Sequence, residues 1–480
     1  MSSALSNSMK LAYESRAPDA SGQPKAVASF TRTWLSIHTF ALLALVLFGR
    51  GFAYIGLPPL FACEMILLVG LFGLLICGRW WVILRMPQMI LLLALCGWCL
   101  IRTVPFFGIY GVDAVREAVI WGYSLFAICI AAVIVCQPTL LLMLVNRYRY
   151  FYKIALISIP FLWFTFQFVG ESLPVWPWSG TPILYMKAGD LQVHLGGIIG
   201  FWASEVAGGT AMIWFIPMFI NAAILCPVNR GGMMAFMSSL AVSMIFRPLN
   251  RWAWTFVLIA TFGLSFLLVN GISFKVSFSE RPISGEQLIG NFTSIFGGGK
   301  QGDLEELQGT KEWRMNFWGA IIKDTVYGPN FWKGKGFGIN LVSDYGFIID
   351  DEEAVRDPHN GHISMLARAG VPGFALWILL HAAWALGIID GYIRSTFAGR
   401  KRWAGLFMWL LIYWLMVMIN CSFDPYIEGP MGGVWLWSIW GTGIAAMWLR
   451  GQHPHLLDPP ETPDDQLDVE DDALTEMANS

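Results

Sequence analysis

Residues 355–377 read VRDPHNGHISMLARAGVPGFALW, where a long polar stretch runs into an apolar helix. Asp357-Pro358 has the form of an N-cap followed by a first helical residue, since Asp satisfies orphan amides and Pro has no amide to lose. On that reading His359 and Asn360 fall in the first turn, at the positive end of the helix dipole. A histidine there tends toward its neutral, proton-accepting form, and free amides beside it can hold an anion. The plainer reading is a polar cap with an interfacial histidine. The rest of the chain has to choose between the two.

Of the 480 residues 56% are hydrophobic and 13% charged, with 24 Trp and 34 Phe. Many apolar runs reach the ~20 residues that cross a bilayer. This composition implies an all-α polytopic membrane protein with about twelve transmembrane helices. A membrane β-barrel would instead show alternating segments of about ten residues. No basic block suggests nucleic acid. The cysteines Cys63, Cys77, Cys96, Cys99, Cys129, Cys136, Cys226 and Cys421 all lie in or beside apolar runs, so no disulfide framework braces the long polar stretch. Cys96 and Cys99 read as small apolar residues one helical turn apart, not as a redox or metal pair.

The expected organisation is a disordered cytoplasmic tail (1–33), membrane helices one to nine (34–271), a large periplasmic loop (272–358), helices ten to twelve (359–450) and an acidic tail (451–480). The amino-terminal stretch lacks the early apolar core of a signal peptide, so the first helix reads as a retained anchor. The spans are placed at 34–54, 59–78, 86–101, 118–136, 150–169, 187–206, 209–227, 231–247, 252–271, 361–390, 403–421 and 431–450. The pair within 187–227 is the least regular, because Lys187, Asp190, Gln192 and His194 crowd its start and Glu205 its middle. The carboxyl tail holds nine acidic residues and no Lys or Arg, which predicts a solvated, disordered segment.

Positive charge sets the orientation. With the amino terminus inside, the inner segments carry sixteen Lys and Arg between Lys10 and Arg450, against Arg50, Arg102, Arg116, Lys187 and Arg230 on the short outer ones. Both termini are therefore expected in the cytoplasm and 272–358 outside. Within that loop, Thr310 followed by KEWRMNFWGAIIKDTV has the pattern of a capped amphipathic helix with Glu312 in its first turn. Arg314, Trp318, Ile321 and Thr325 share one face, and Trp313, Phe317 and Ala320 the next. Such a helix lies on the membrane or packs over the bundle. GKGFGIN (334–340) lacks the strand–helix context of a phosphate-binding loop and reads as a turn. The run Asp350, Asp351, Glu352, Glu353 reads as a solvated loop.

Topology thus brings three distant residues to one side: Arg230 in PVNRGGMMAF, Arg314 on the outer helix and His359 at the mouth of helix ten. Two guanidinium groups suit a diphosphate, since each offers forked donors and stays charged. Gly231-Gly232 after Arg230 leaves backbone open to a close ligand. Taken alone, Arg230 is equally a snorkelling interfacial charge.

NRGGMMA, EWRMNFW, GKGFG and PHNGHISMLARAGVPG follow one another in an order that resembles the O-antigen ligase and polysaccharide polymerase superfamily, over roughly residues 200–375. The resemblance implies a glycosyltransferase of the bacterial inner membrane, with its site facing the periplasm. It would move a glycan from an undecaprenyl-diphosphate carrier to an acceptor, either lipid A core or a growing polysaccharide. It implies that Arg230 and Arg314 bind the diphosphate, that His359 serves the acceptor hydroxyl or orients the leaving group, and that no metal or cofactor is needed. Asn360, His362, Arg368 and Trp318 are weaker candidates for binding the diphosphate or glycan. The family's first motif carries Ser before its Arg, where this chain has Asn229. Arg368 would cost roughly 2.5–3.5 kcal/mol facing lipid, so it is expected to face the cavity as a third cation. Glu64 and His381 read as bundle-facing polar residues, and Gly370 to Gly373 as a bend.

Three alternatives stand beside this reading. A protein O-oligosaccharyltransferase of the same superfamily shares the motifs, as do ligase and polymerase with each other. A metal-dependent oligosaccharyltransferase would need acids in its first outer loop; this chain has none there, although Asp113 and Glu117 lie in the next. A transporter or flippase would show charges at mid-membrane and internal repeats.

Overall fold

A computed structural model of the chain describes residues 25–78, 80–247, 301–348 and 356–459, together with 255, 258, 262–263, 270–271, 273–274 and 283–295. The protein is mostly helical, with strand confined to two short antiparallel pairs among the described residues, Gly56–Leu57 with Leu60–Phe61 and Ser273–Phe274 with Ile283–Ser284. The helices are α1 (Lys25–Phe48), α2 (Ala62–Ile76), α3 (Pro87–Tyr110), α4 (Val112–Gly122), α5 (Leu125–Cys136), α6 (Thr139–Val169) and α7 (Ala188–Ser204). They continue as α8 (Phe215–Leu225), α9 (Arg230–Phe246), α10 (Gly285–Ile295), α11 (Gln301–Val326), α12 (Gly361–Phe397), α13 (Lys401–Cys421) and α14 (Pro430–Gln452). Five of these are long and apolar enough to cross a membrane, and α4 with α5, bent by 43° at their junction, make a sixth if taken as one span. The expected ninth span, the run 350–353 and most of both tails lie outside the described residues.

Two starting points differ from the sequence pattern. The first helix begins at Lys25, inside the stretch read as a disordered tail. α11 begins at Gln301, so Thr310 is an interior residue and not a cap. The helical pattern simply continues upstream of the polar signal.

The core is where helices touch through small residues. α7 packs against both α9 and α13. A Cβ on Gly232 of α9 would stand 1.9 Å from Oε1 of Gln192 and 2.7 Å from the Cα of Gly189, both on α7, so the two helices approach closely at this glycine. On the other side of α7, Gly197 and Gly200 lie against the rings and branches of Tyr413 and Ile412. Close approach of this kind is how helices associate where lipid supplies no hydrophobic drive.

α12 is broken at Gly370, whose φ of 70° and ψ of −178° are open to glycine and strained for other residues. Pro372 follows and has no amide for the carbonyl of Arg368, four residues back. The loop after α11 fills the gap. Gly336 N donates to Arg368 O at 3.0 Å, Lys335 N to Ala367 O at 2.7 Å, and Val371 N turns outward to Phe331 O at 2.8 Å. Trp98 of α3 covers the next carbonyl, Ala369 O, at 2.8 Å. Gly334, Gly336 and Gly338 all take positive φ, so GKGFG is the expected turn, folded onto the helix break. α11 rides on this loop. Its Phe317 and Ile321 are fully buried in a second small core with Leu341, Val342 and Ala367.

Replacing Gly232 by Ala should force α7 and α9 apart and cost about 1–3 kcal/mol by overpacking. The expected readout is a lower unfolding temperature in detergent; an unchanged one would show that the two helices are not locked by this contact.

Candidate functional site

The loop between α13 and α14, residues 422–429, is where the candidate residues gather. Three helices present their amino-terminal ends to it. At α7, the N-cap residue Lys187 places Nζ 2.6 and 2.8 Å from the carboxylate oxygens of Asp424. At α9, a Cβ on Gly231 would lie 3.0 Å from Cβ of Phe423. At α12, a Cβ on Gly361 would lie 2.8 Å from the Ile427 side chain. Each amino terminus carries roughly half a positive charge and free amides, so the three together favour an anion.

Arg230 is the first residue of α9 and half-buried. Its helix is capped by Asn229, whose side-chain oxygen accepts from Gly232 N at 2.8 Å. Serine is an equally good cap, so the departure at Asn229 keeps the local geometry. Arg314, on α11, reaches the same loop from above. Its Nη1 donates to Phe423 O at 3.2 Å, and its Nε is buried without a partner among the described residues. Burial pushes this guanidinium below its usual value, while Asp424 and Asp357 pull it back. Phe423 is therefore the common neighbour of Arg314 and of the turn that follows Arg230.

His359 stands just before α12, and here the sequence reading needs correction. The N-cap is Asn360, not Asp357: its side chain accepts from His362 N at 3.0 Å and Ile363 N at 3.1 Å, and the helix opens at Gly361. Asp357 instead accepts from His359 N at 2.9 Å, which closes a small turn. His359 is left between these two caps with φ of 51°, a left-handed conformation that costs about 1 kcal/mol in a non-glycine residue. Asn wins the cap because Asp357 is three residues too early to reach the first free amides. The imidazole lies edge-on to Trp313, ring centres 6.1 Å apart. Its pKa is lowered chiefly by burial; Asp357 and Asp424 raise it, and Arg314 and Lys187 lower it further. His359 is thus within electrostatic reach of Arg314, Lys187 and Asp424.

Of the weaker candidates, Trp318 donates to Pro358 O at 2.7 Å and so pins α11 to the turn that carries His359. His362 is enclosed: Trp377 Nε1 donates to its Nδ1 at 3.1 Å, and Nε2 meets Met418 O and Cys421 Sγ, each at 3.2 Å. Arg368 is buried, as the cost of lipid exposure requires, but it is met by a carboxylate. It forms an ion pair with Glu117 of α4 and donates to Ile339 O at 3.1 Å. Arg356 joins the same Glu117 at 2.9 Å and Asp113 at 3.4 Å. Arg368 is thus a strut between α12, α4 and the loop, and its charge is already answered. Among the described residues no group of three or more His, Cys, Asp or Glu is arranged to hold a metal ion.

Residues 212–378 match the family model described as O-antigen ligase. The likeness to that family covers about a third of the chain. The segment supports the O-antigen ligase and polymerase superfamily, a group of glycosyltransferase type, and it contains Arg230, Arg314 and His359. No curated protein matches the chain.

Sequence reasoning overlooked Lys187, Asp424 and Glu428 as members of this cluster. Glu428 keeps one carboxylate oxygen buried without a partner, and burial, with Asp357 next, pushes its pKa well above the carboxylate range. The visible signal was CSFDPYIEG, a short loop with two acids and no base between two apolar runs. The 170–189 segment and α6 border a cavity of about 600 Å³. Trp163, Gln167, Tyr185, Lys187 and Asn229 line it, so it opens next to the amino ends of α7 and α9. Arg314 and His359 are not among its walls.

Glu117→Gln should destabilise the protein by about 3–5 kcal/mol, because Arg368 keeps its charge without a carboxylate. The double variant Glu117→Leu, Arg368→Met should recover part of that loss. A single variant as stable as the parent would show that Arg368 is free to serve a ligand.

Proposed function

We propose that this protein transfers a glycan from an undecaprenyl-diphosphate carrier to an acceptor sugar, at the periplasmic face of the bacterial inner membrane, in ligation or polymerisation of a surface polysaccharide such as O-antigen or exopolysaccharide. Twelve spans, cytoplasmic termini and a periplasmic 272–358 loop belong to this reading, and the skew of Lys and Arg toward one side supports it. The observation that carries it is Arg314, a guanidinium at the meeting point of three helix amino termini, whose Nε is buried without a partner. A cation so placed is suited to a polyanionic leaving group.

The acceptor hydroxyl attacks the anomeric carbon, the bond to the carrier oxygen breaks, and negative charge grows on the departing diphosphate. Arg230 and Arg314 hold that diphosphate and stabilise it more as the bond stretches, which is the condition for lowering a barrier. Neutral His359 takes the hydroxyl proton. Arg230 and Arg314 occupy the electrostatic role of a divalent ion, so the reaction proceeds in excess chelator. Lys187, tied to Asp424, sets the loop that Arg314 addresses and that packs against the turn after Arg230. Trp318 and Asn360 fix the turn on which His359 stands.

His359→Ala should lower transfer about 10²–10⁴-fold, the usual worth of a positioned base. Mass-tagged lipid-linked oligosaccharide with candidate acceptors reads this, and product without a second acceptor type marks a polymerase. Because burial lowers the His359 pKa, the neutral form persists on the acid side of the usual histidine range. The parent should therefore lose rate only below that range, and the Ala variant should lack this limb. Near-wild-type transfer by a stably expressed Ala variant would end the assignment.

Arg230→Lys and Arg314→Lys should each weaken the carrier interaction roughly ten- to a hundredfold, the loss of one charge-assisted hydrogen bond, because an ammonium lacks the planar fork. Unchanged carrier affinity in both would remove the arginines from the diphosphate.

A further inference from the structure

A second cavity, of about 320 Å³, lies between α1, α6, α13 and α14. It is remote from the candidate site: α1 meets the 185–187 segment at its carboxyl end, where Arg50 N donates to Tyr185 O at 3.1 Å. The polar mouth of the cavity, at Ser36, is twelve residues earlier on α1, about 18 Å by helical rise. Its walls are mostly apolar, and Phe40, Tyr150 and Ile154 among them are exposed on the outside of the bundle. The slot therefore opens sideways, toward whatever surrounds the helices.

One wall carries a cation. Arg147 of α6 donates from Nη1 to Thr39 Oγ1 at 2.9 Å and from Nη2 to Ser36 Oγ at 2.8 Å, and no carboxylate lies within ion-pair distance of it among the described residues. Arg32, one turn before Ser36, adds a second positive charge that acts on Arg147. Hydroxyl partners orient a guanidinium without neutralising it. Deeper in the slot, His38 meets Ser438 Oγ through Nε2 at 2.8 Å, and Ser438 spends its proton on Val434 O at 2.6 Å. His38 Nε2 is then the donor, and Nδ1 remains a buried acceptor without a partner. The protein's own groups do not complete this wall.

We infer that this slot is a binding site for an anionic phospholipid, with the phosphate on Arg147 and an acyl chain along the apolar wall between α1 and α6. Charge selects the headgroup and the lateral opening selects a lipid. The inference is independent of the glycan-transfer reading.

Native mass spectrometry of the full chain in detergent tests it, with phosphatidylglycerol, phosphatidylcholine and inorganic phosphate as probes. The parent should retain one phosphatidylglycerol and bind it at least about tenfold more tightly than phosphatidylcholine, and Arg147→Gln should erase that preference. Leu144→Trp, which fills the slot and keeps the arginine, should weaken both lipids, and it keeps the test open if the Gln variant folds poorly. Equal binding of the two lipids by the parent, or no effect of Leu144→Trp, overturns the inference. Displacement of the lipid by millimolar inorganic phosphate would reduce the site to a simple anion contact and overturn it as well.

Discussion

Pro372 has no amide hydrogen, and much of the described structure follows from that. The carbonyl of Arg368 is left without its helical donor, and Gly370 turns the chain so that Val371 also faces away. Carbonyls orphaned inside an apolar bundle cost several kcal/mol each unless something donates to them. The loop 331–338 does so with Lys335 N and Gly336 N, and three glycines with positive φ let its backbone approach. Beside this loop, α11 packs through Phe317 and Ile321 against Leu341, Val342 and Ala367. Arg314 on that helix then reaches the loop after α13, and Trp318 reaches the turn before α12. A break in one helix thus positions residues far apart in sequence.

The arginines differ in what answers them, and this separates structural charges from chemical ones. Arg368 and Arg356 share Glu117, and removing that carboxylate would strand a buried cation. Arg314 has a neutral carbonyl and two acids acting at a distance. Lys187 is satisfied by Asp424, which also moderates the positive field of three helix ends. Full neutralisation would leave no attraction for the proposed diphosphate, and none at all would leave the free protein with an uncompensated cluster. The observed balance falls between these limits.

The mostly helical, membrane-spanning character was legible from hydropathy, because a span must satisfy its own backbone and therefore announces itself as a long apolar run. The face shared by Arg314 and Trp318 was also legible, since helical spacing fixes it. Helix starts were less so. Asp357-Pro358 and Asn360 are both acceptable caps, and only the path of the turn decides which side chain reaches free amides. Thr310 looked like a cap because its own residue type favours one, although the helix had begun nine residues earlier. Arg368 was rightly kept away from lipid, but nothing in the sequence pairs it with Glu117, some 250 positions upstream. Asp424 was missed for the same reason: ion pairs between loops leave no periodic trace.

His359 shows why the site needs its surroundings. Its left-handed backbone is unfavourable on its own, and it is held from both sides, by Asp357 on its own amide and by Asn360 on the amides that follow. Trp318 fixes the carbonyl just before it, and Trp313 limits the ring. Such restraint serves no purpose for an interfacial histidine, which is stable in many rotamers and needs no partner. It is the restraint that the proposed base requires, since that base must meet one hydroxyl while remaining neutral beside cations. Burial and the nearby arginine both favour that neutral form, and the two carboxylates that oppose it are the groups that orient the turn and the loop. The elements that aim the imidazole are therefore also those that tune it.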